Sequence, residues 1–365
     1  MKRRLQIRLK QLRLILVAWL LVGLLLAVYD HLVLHTANSL GPSARYSFSL
    51  SLFLNLGSAL IGALLGGSFL VFYVNAKYQD QPYGKTIRAV SLSYSLIILF
   101  NVCVIGLISV HLQTGRNIFD PVALEAFKAF LLDSARAKNI LVWLLVVALT
   151  QLVLQLNSKL GPGELYILIQ GKYNTAQEEK KIFMFLDINA STTIAEQLGD
   201  EKYHEFLKDF FADITNPILD NKGEIYQYVG DEVVIAWKLE NGIENSQCLR
   251  CFFDIKQYIQ HKAATYLQRY GVVPSFKAGI HCGKVVAGDV GILKRDITYS
   301  GNVLNTTSRI QSMCKEFKEE IIASADLLAE LRLVNTFVAQ TLGSIKLRGK
   351  EKEITLSTVK PFTQL

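Results

Sequence analysis

The segment KIFMFLDINAST, Lys181 to Thr192, decides the fold prediction for the second half of this chain. Its apolar run, Ile182 to Leu186, is rich in β-branched and aromatic residues and stops at a carboxylate, Asp187. Such a run predicts a buried strand, with Asp187 at the rim of a sheet. A second apolar segment, GEIYQYVGDEVVIAW, places Asp231 in the Gly-Asp turn of a predicted hairpin. Each aspartate alone is explained as a strand-end or turn residue, whereas together they suggest a metal site.

The positive charge of the chain belongs to its apolar first part. Of the 365 residues 51% are hydrophobic, and the formal net charge is +8. Residues 1–160 contain 15 Lys and Arg against 5 Asp and Glu, whereas the remaining residues contain 24 against 26. Basic residues that flank apolar segments are typical of the cytoplasmic side of a membrane protein. The charge therefore does not indicate a nucleic-acid partner.

Four stretches in this first part are apolar and long enough to cross a lipid bilayer, which takes about 20 residues. They cover residues 14–35, 46–76, 89–115 and 139–158. The N-terminal tail and the loop after the second stretch are rich in Lys and Arg, which predicts that both lie in the cytoplasm with everything after the fourth stretch. We expect three parts, namely a four-helix transmembrane domain over 1–157, a cytoplasmic linker over 158–180 and a folded domain over 181–365.

Polar residues within these stretches leave two interpretations open. His31 and His35 share one helical face, and His111 lies at a similar depth, so the three could bind a metal, a haem or another unidentified ligand. Histidines at the interface that face water or lipid headgroups are the simpler explanation. Asn55 and Asn101 lie inside the stretches, where we expect hydrogen bonds between helices.

The five cysteines do not indicate a disulfide framework. Cys248 and Cys251 form a lone CxxC within a segment of helical periodicity. No second pair of ligands follows, which favours two small buried residues over a zinc site. This cysteine usage is consistent with a cytosolic location for the second part of the chain.

Strands and helices alternate after the Gly-Pro-Gly triplet at 161–163, which ends the preceding helix. The linker contains a short amphipathic helix, GELYILIQ, and either passes a signal from the membrane or serves as a passive tether. The alternation around a central hairpin predicts an α+β sandwich of ferredoxin-like (βαββαβ) type. The predicted strands are 182–187, 223–229, 233–237, 276–281, 284–289, 320–323, 337–341 and 354–359, and the predicted helices are 192–198, 200–219, 245–269 and 303–314.

Paired carboxylates from neighbouring strands suit hard divalent ions. Mg²⁺ is commonly held by one or two carboxylates and substrate phosphates, and two such ions stabilise both the attacking and the leaving oxygen of a phosphoryl displacement. The chain contains no GxxxxGK[ST] motif, which argues against a Walker-type nucleotidase. Asn305 and Arg309 project from one helical face. An amide beside a guanidinium suits a phosphate whose charge grows in a transition state, although a solvated surface pair is the common alternative.

Four segments, in order and spacing, resemble the class III adenylate/guanylate cyclases. They are FMFLDINAST, YVGDEVVIAW, FKAGIHCGKVVAGDVG and SGNVLNTTSRIQ, within residues 180–361. The Gly-Pro-Gly linker and the four preceding stretches resemble the bacterial membrane-bound members. The resemblance implies a catalytic domain over 181–365, in a multi-pass protein of the bacterial inner (plasma) membrane with a cytoplasmic N-terminus.

The resemblance also implies roles for individual residues. Asp187 and Asp231 match the two metal-binding aspartates, and the backbone carbonyl of Ile188 matches a further ligand, for two Mg²⁺ or Mn²⁺ ions per site. Asn305 and Arg309 match the residues that stabilise the transition state. In this family the site forms between two catalytic domains, so a homodimer with two sites is implied.

Three further positions concern the nucleotide. The late phosphate-binding lysine of the family falls in the segment LRGKEKEI, where either Lys350 or Arg348 would serve. The two base-recognising positions are Gln227 and Thr298. Thr298 favours ATP, whereas the amide of Gln227 both donates and accepts and so fits either base. The implied reaction converts ATP to 3′,5′-cyclic AMP and pyrophosphate in signal transduction, with GTP as the alternative substrate.

Two other functions remain open from the sequence. A diguanylate cyclase would carry two glycines before its acidic pair and an aromatic residue after it, whereas this chain reads Val229-Gly230-Asp231-Glu232-Val233. A catalytically weak receptor or scaffold would bind nucleotide through the same domain without turnover, an alternative suggested by the departure at Gln227.

Overall fold

The computed structural model describes residues 2–36, 47–74, 77, 83–117, 119–132, 134–161, 164–293, 295–331, 333, 336–346 and 353–362. The chain divides into two compact units, one formed by Leu5–Leu165 and the other containing Tyr166–Leu365.

The first unit is helical, which is expected from its long uninterrupted apolar stretches. Its helices are α1 (Lys2–Thr36), α2 (Phe48–Gly62), α3 (Tyr83–Thr114), α4 (Pro121–Leu132) and α5 (Ser134–Leu160), and α2 continues through the π-helical turns Ala63–Gly67 and Phe69–Val74. Among the described residues, four helical segments are long and apolar enough to cross a membrane, which agrees with the predicted number. They are Leu5–Val33, Phe48–Val74, Ser93–Thr114 and Lys138–Asn157.

Two asparagines inside this unit donate hydrogen bonds to backbone carbonyls. Asn101 donates from Nδ2 to the carbonyl of Ser58, 2.9 Å away, which confirms the predicted bond between helices. The same prediction was wrong for Asn55, whose amide bonds within its own helix to the carbonyl of Ser51 at 2.9 Å. A side-chain donor in a helix can make such a bond to the carbonyl one turn before it.

The histidines of the first unit make separate contacts. The His31 ring lies 4.6 Å from the ring of Phe48, and Nδ1 of His111 lies 2.9 Å from the carbonyl oxygen of Arg116. The side chain of His35 lies outside the described residues.

The second unit is a mixed sheet with helices. The strands are β1 (Gln177–Ile188), β2 (Glu224–Val229), β3 (Glu232–Lys238), β4 (Phe276–Val290), β5 (Asp296–Ser300), β6 (Ile321–Ser324), β7 (Phe337–Ile345) and β8 (Ile354–Pro361). The helices are α6 (Glu164–Gln170), α7 (Ser191–Leu198), α8 (Asp200–Asp220), α9 (Leu239–Ile243), α10 (Gln247–His261), α11 (Ala263–Tyr270), α12 (Asn302–Phe317) and α13 (Ala325–Glu330). The sheet order is β2-β3-β1-β4-β6-β8-β7, and β5 pairs with β4. The first four strands have the ferredoxin-like order, which confirms the predicted fold class.

The alternation of side chains along β1 divides the core into two layers. Ile182, Met184 and Leu186 are fully buried in the larger layer, which α8, α10 and α11 cover. Phe183 and Phe185 point to the other face. Asp187 shares that second face, because it lies two residues beyond Phe185.

Strand β4 and helix α10 differ from the prediction in their extent, and β5, α9 and α13 were not predicted. Strand β4 runs unbroken through Gly283, where the sequence predicts a break. A Cβ at Gly283 would lie 2.7 Å from Cγ2 of Val303, so this glycine permits close packing of α12 rather than a turn. The predicted helix 245–269 is divided into α10 and α11 at Lys262, whose φ of −91° and ψ of 0° end the first helix.

Candidate functional site

Asp187 lies at the end of the central strand, between two paired neighbours. It faces Glu232 on β3 and Lys277 on β4. Lys277 Nζ is 3.2 Å from Asp187 Oδ2, and Gln311 Nε2 donates to the same oxygen at 3.0 Å. Burial raises the pKa of Asp187, the hydrogen bond from Lys277 lowers it and the charge of Asp231 raises it, so the pKa lies above its ordinary value.

Asp231 reaches this rim from the β2–β3 hairpin. The turn begins at Gly230, whose φ of +63° is a left-handed conformation that favours glycine. The charge of Asp231 acts to raise the pKa of Asp187, and burial, with the charges of both carboxylates, raises the pKa of the Tyr203 hydroxyl. Burial, Asp187 and Asp231 together raise the pKa of Glu232 to about 7. Negative charge is therefore concentrated at this rim, with Lys277 as a cation beside it.

The donor set at this rim fits a hard divalent cation. Asp187 and Asp231 offer carboxylate oxygens. Burial and the charge of Asp231 both act to raise the pKa of Asp187, and a bound cation would relieve the repulsion between the two carboxylates. Ile188 follows Asp187 and is 2% exposed at the strand end. Across the described ranges, no group of three or more His, Cys, Asp or Glu side chains is arranged to hold a metal. Mg²⁺ ordinarily needs only one or two carboxylates, since water and substrate phosphates complete its coordination.

Helix α12 carries Asn305 and Arg309 and packs against β4 and β1. A Cβ at Gly279 would lie 2.3 Å from the backbone nitrogen of Gln311, which shows how closely the helix approaches β4. Asn305 is exposed and Arg309 is partly exposed. Within the part of the chain that the structure describes, neither side chain pairs with Asp187 or Asp231, whereas Gln311 of the same helix does.

The two base-recognition candidates lie on different strands. Gln227 is exposed on β2 opposite Val234, and Thr298 is partly buried on β5 opposite Gly288. Their chain neighbours Tyr226 and Tyr299 pack against one another, with ring centroids 5.0 Å apart. Arg348 and Lys350, the candidates for phosphate binding, lie outside the described residues.

Three residues at the rim were not singled out from the sequence. Lys277 and Glu232 become visible only once β1 is paired with β4 and β3, because each lies opposite Asp187 in the register. Gln311 lies two residues beyond Arg309, and its 7% exposure indicates a role inside the fold. The signal available in the sequence was that Gln311, a polar residue, occupies a position on the apolar face of the α12 pattern.

Comparison with known proteins finds relatives that are named adenylate cyclase. Adenylate cyclase 2 of Rhizobium meliloti (strain 1021) is 35% identical over 202 residues, which cover 55% of this chain and 56% of that protein. Adenylate cyclase of Anabaena cylindrica is 28% identical over 194 residues, covering 51% of this chain and 38% of that protein. The chain thus spans little more than half, or less, of the length of these relatives.

A solved structure of a bacterial light-regulated adenylyl cyclase has the same fold, with a TM-score of 0.51 at 23% identity over 59% of this chain and 62% of that one. The family described as the adenylate and guanylate cyclase catalytic domain matches residues 174–359, from just before β1 into β8. The match includes both aspartates and α12 and confirms the class III resemblance, so this chain belongs to the adenylate and guanylate cyclase catalytic domain family.

Proposed function

We propose that this protein is a membrane-anchored adenylate cyclase that converts ATP to 3′,5′-cyclic AMP and pyrophosphate at sites shared by two copies of the chain. The observation that carries the proposal is the meeting of Asp187 and Asp231 at one rim of the sheet, tied by Gln311 to the helix of Asn305 and Arg309. Relatives named adenylate cyclase support the reaction.

In this reaction the ribose 3′ oxygen attacks the α-phosphorus, and the bond to the bridging oxygen breaks to release pyrophosphate. Asp187, Asp231 and the Ile188 carbonyl would hold two Mg²⁺ or Mn²⁺ ions. When bound, such ions stabilise negative charge on the attacking and leaving oxygens. Lys277 lies beside the Asp187 carboxylate, where its ammonium would offset part of that negative charge and would attract an incoming triphosphate.

Asn305 and Arg309 would stabilise the charge that develops on the phosphate. An amide and a guanidinium donate hydrogen bonds to phosphate oxygens, and their effect is largest where the charge grows in the transition state. Both side chains extend from α12 without partners among the described residues on the aspartate rim. A homodimer would bring Asn305 and Arg309 of one chain to the aspartates of the other, giving two sites related by symmetry.

ATP is the proposed substrate, and GTP is the alternative. The Thr298 hydroxyl suits the adenine edge, whereas the Gln227 amide can donate and accept and so does not select a base by itself. Arg348 or Lys350 would bind the phosphates. The four apolar helices would anchor the chain in the bacterial inner (plasma) membrane, with the N-terminus and the catalytic unit in the cytoplasm, because Lys and Arg flank the predicted inner ends.

The test is an assay of full-length protein in detergent with ATP or GTP and Mg²⁺ or Mn²⁺, with products separated by chromatography. We expect cyclic AMP from wild type, none from Asp231→Ala, and wild-type activity from Asp200→Ala, which removes an exposed carboxylate at the start of α8. Absence of product from either nucleotide would favour the receptor or scaffold alternative. A cyclic dinucleotide product from GTP would favour a diguanylate cyclase.

A further inference from the structure

A buried lysine lies on β1, on the same face as Asp187 and outside the catalytic machinery. Lys181 is 2% exposed. Its Nζ lies 3.6 Å from Glu179 Oε2 and 4.5 Å from the centre of the Tyr299 ring. A buried ammonium persists only where charge and hydrogen-bond partners compensate for lost water. Glu179 and Tyr299 are therefore the groups that hold this lysine in place.

Glu179 connects Lys181 to the segment that follows α6. Its other oxygen, Oε1, accepts from Lys172 Nζ at 2.7 Å and from the Tyr173 hydroxyl at 3.0 Å. Tyr173 is itself buried, and its carbonyl accepts from the backbone N–H of Asp289 near the end of β4 at 3.1 Å. A shift of Lys172 or Tyr173 would therefore displace Glu179.

Tyr299 connects Lys181 to the base-recognition candidates. The Tyr299 ring packs edge-on against Phe183 at 5.5 Å and lies 5.0 Å from the Tyr226 ring. The backbone N–H of Tyr299 donates to the Tyr226 hydroxyl at 3.4 Å. Tyr226 directly precedes Gln227, and Tyr299 directly follows Thr298. The position of these rings thus governs the spacing of Gln227 and Thr298.

We propose that the contacts from Lys172 through Glu179 and Lys181 to Tyr299 position the base-recognition residues, so that nucleotide affinity and base preference depend on the segment after α6. Lys181 is a positioning residue, since it acts through Tyr299. The inference rests on the proposed function in one respect, namely that Gln227 and Thr298 contact the base. It adds a physical route by which a change in the linker reaches the nucleotide.

The test compares Lys181→Met and Lys172→Met with Lys180→Met in the full-length protein. Lys180 is the matched control because it is the next residue on β1, points to the opposite face and pairs with Glu330 at 2.6 Å. Methionine keeps the length and apolar stem of lysine while removing the charge. Equilibrium binding of fluorescent mant-ATP and mant-GTP is measured without turnover, and KM and kcat are measured in the cyclase assay.

We expect Lys181→Met and Lys172→Met to weaken mant-nucleotide binding and to reduce the preference between the two bases by about threefold to tenfold. Lys181→Met removes the partly desolvated cation–π contact with Tyr299, and Lys172→Met releases Glu179, which holds Lys181. KM should rise more than kcat falls, and Lys180→Met should match wild type. Tyr299→Leu should reproduce the effect, whereas Tyr299→Phe, which keeps the ring, should not. If Lys181→Met does not fold, the comparison of Tyr299→Leu with Tyr299→Phe still tests the proposal.

The proposal is overturned if Lys181→Met and Tyr299→Leu bind both nucleotides as Lys180→Met does. It is also overturned if Lys181→Met and Tyr299→Leu lower kcat without changing KM, because general damage to the fold gives that result. Wild-type protein that binds mant-ATP without forming cyclic AMP would contradict the proposed function, while the binding ratios would still decide the positioning role.

Discussion

Gln311 on α12 donates a hydrogen bond from Nε2 to Oδ2 of Asp187 at 3.0 Å. This bond ties the helix of Asn305 and Arg309 to the strand that carries a candidate metal ligand, within one chain. In a dimer with shared sites, the aspartates of a chain serve one site and its α12 serves the other. Gln311 would then connect the two sites.

Replacing Gln311 with Met should weaken the response to metal without removing activity. Residues that orient a metal ligand typically change metal affinity by about 10- to 100-fold. We therefore expect the Mn²⁺ concentration for half-maximal cyclic AMP formation to rise by about tenfold. Ser312→Ala, at the exposed next position on α12, is the control. An unchanged Mn²⁺ dependence in Gln311→Met would show that the bond does not orient Asp187.

The sequence predicted the ferredoxin-like core and the strand that ends at Asp187, because both depend on local patterns of hydrophobicity. It could not predict that Lys277 and Gln311 meet Asp187, because those contacts depend on strand register and on helix packing between distant segments. Gly283 was misassigned for a related reason: glycine is typical of turns, but here it admits Val303 of a helix. The short strand Asp296–Ser300 carried no distinctive pattern of its own.

Close packing of α12 on β4 predicts a strong effect at Gly279. An added Cβ would lie 2.3 Å from the nitrogen and 2.6 Å from the Cα of Gln311, which are backbone atoms that cannot rotate away. We expect Gly279→Ala to lower the free energy of unfolding by about 1–3 kcal/mol, as overpacking does. Pulse proteolysis of the full-length protein in urea measures this change.

Gly288→Ala is the matched control on the same strand, since its added Cβ would lie 3.5 Å from the Cβ of Ala176, an ordinary contact. Equal stability of the Gly279 and Gly288 variants would contradict the packing described for α12.

Base preference should follow the residues at 227 and 298. We expect Gln227→Glu combined with Thr298→Cys to shift activity from ATP toward GTP, because a carboxylate accepts the hydrogen bonds that guanine donates. The measurement is the ratio of kcat/KM for the two nucleotides, with a change of tenfold or more expected from one or two exchanged hydrogen bonds. An unaltered ratio of kcat/KM would show that neither Gln227 nor Thr298 selects the base.

Glu179 should make stability depend on acid pH. Burial acts to raise the pKa of Glu179, but the hydrogen bonds from Lys172 and Tyr173 outweigh it, so the pKa lies below the usual value of 4.5. A lowered carboxyl pKa adds stability above the unfolded value, and this stability is lost as the pH falls through the folded value. We expect Glu179→Gln to unfold at a lower temperature than wild type at pH 7.

The difference in unfolding temperature between wild type and Glu179→Gln should narrow as the pH falls below about 4.5, the region in which the wild-type carboxylate becomes protonated. Thermal unfolding of both proteins in the same detergent from pH 7 to pH 3.5 measures it. A difference that stays constant over this range would mean that the ion pair with Lys172 contributes no stability.

Mixing two inactive variants tests the shared site most directly. Asp187→Asn removes one half of each site and Arg309→Ala the other, so each homodimer should be inactive. Co-expression should restore about one quarter of wild-type activity, since random pairing makes half of the dimers mixed and each mixed dimer has one intact site of two. Co-expression of Asp187→Asn with the double variant Asp187→Asn/Arg309→Ala should restore none. Failure of the two single variants to restore activity, with mixed dimers shown to form, would contradict a site built from two chains.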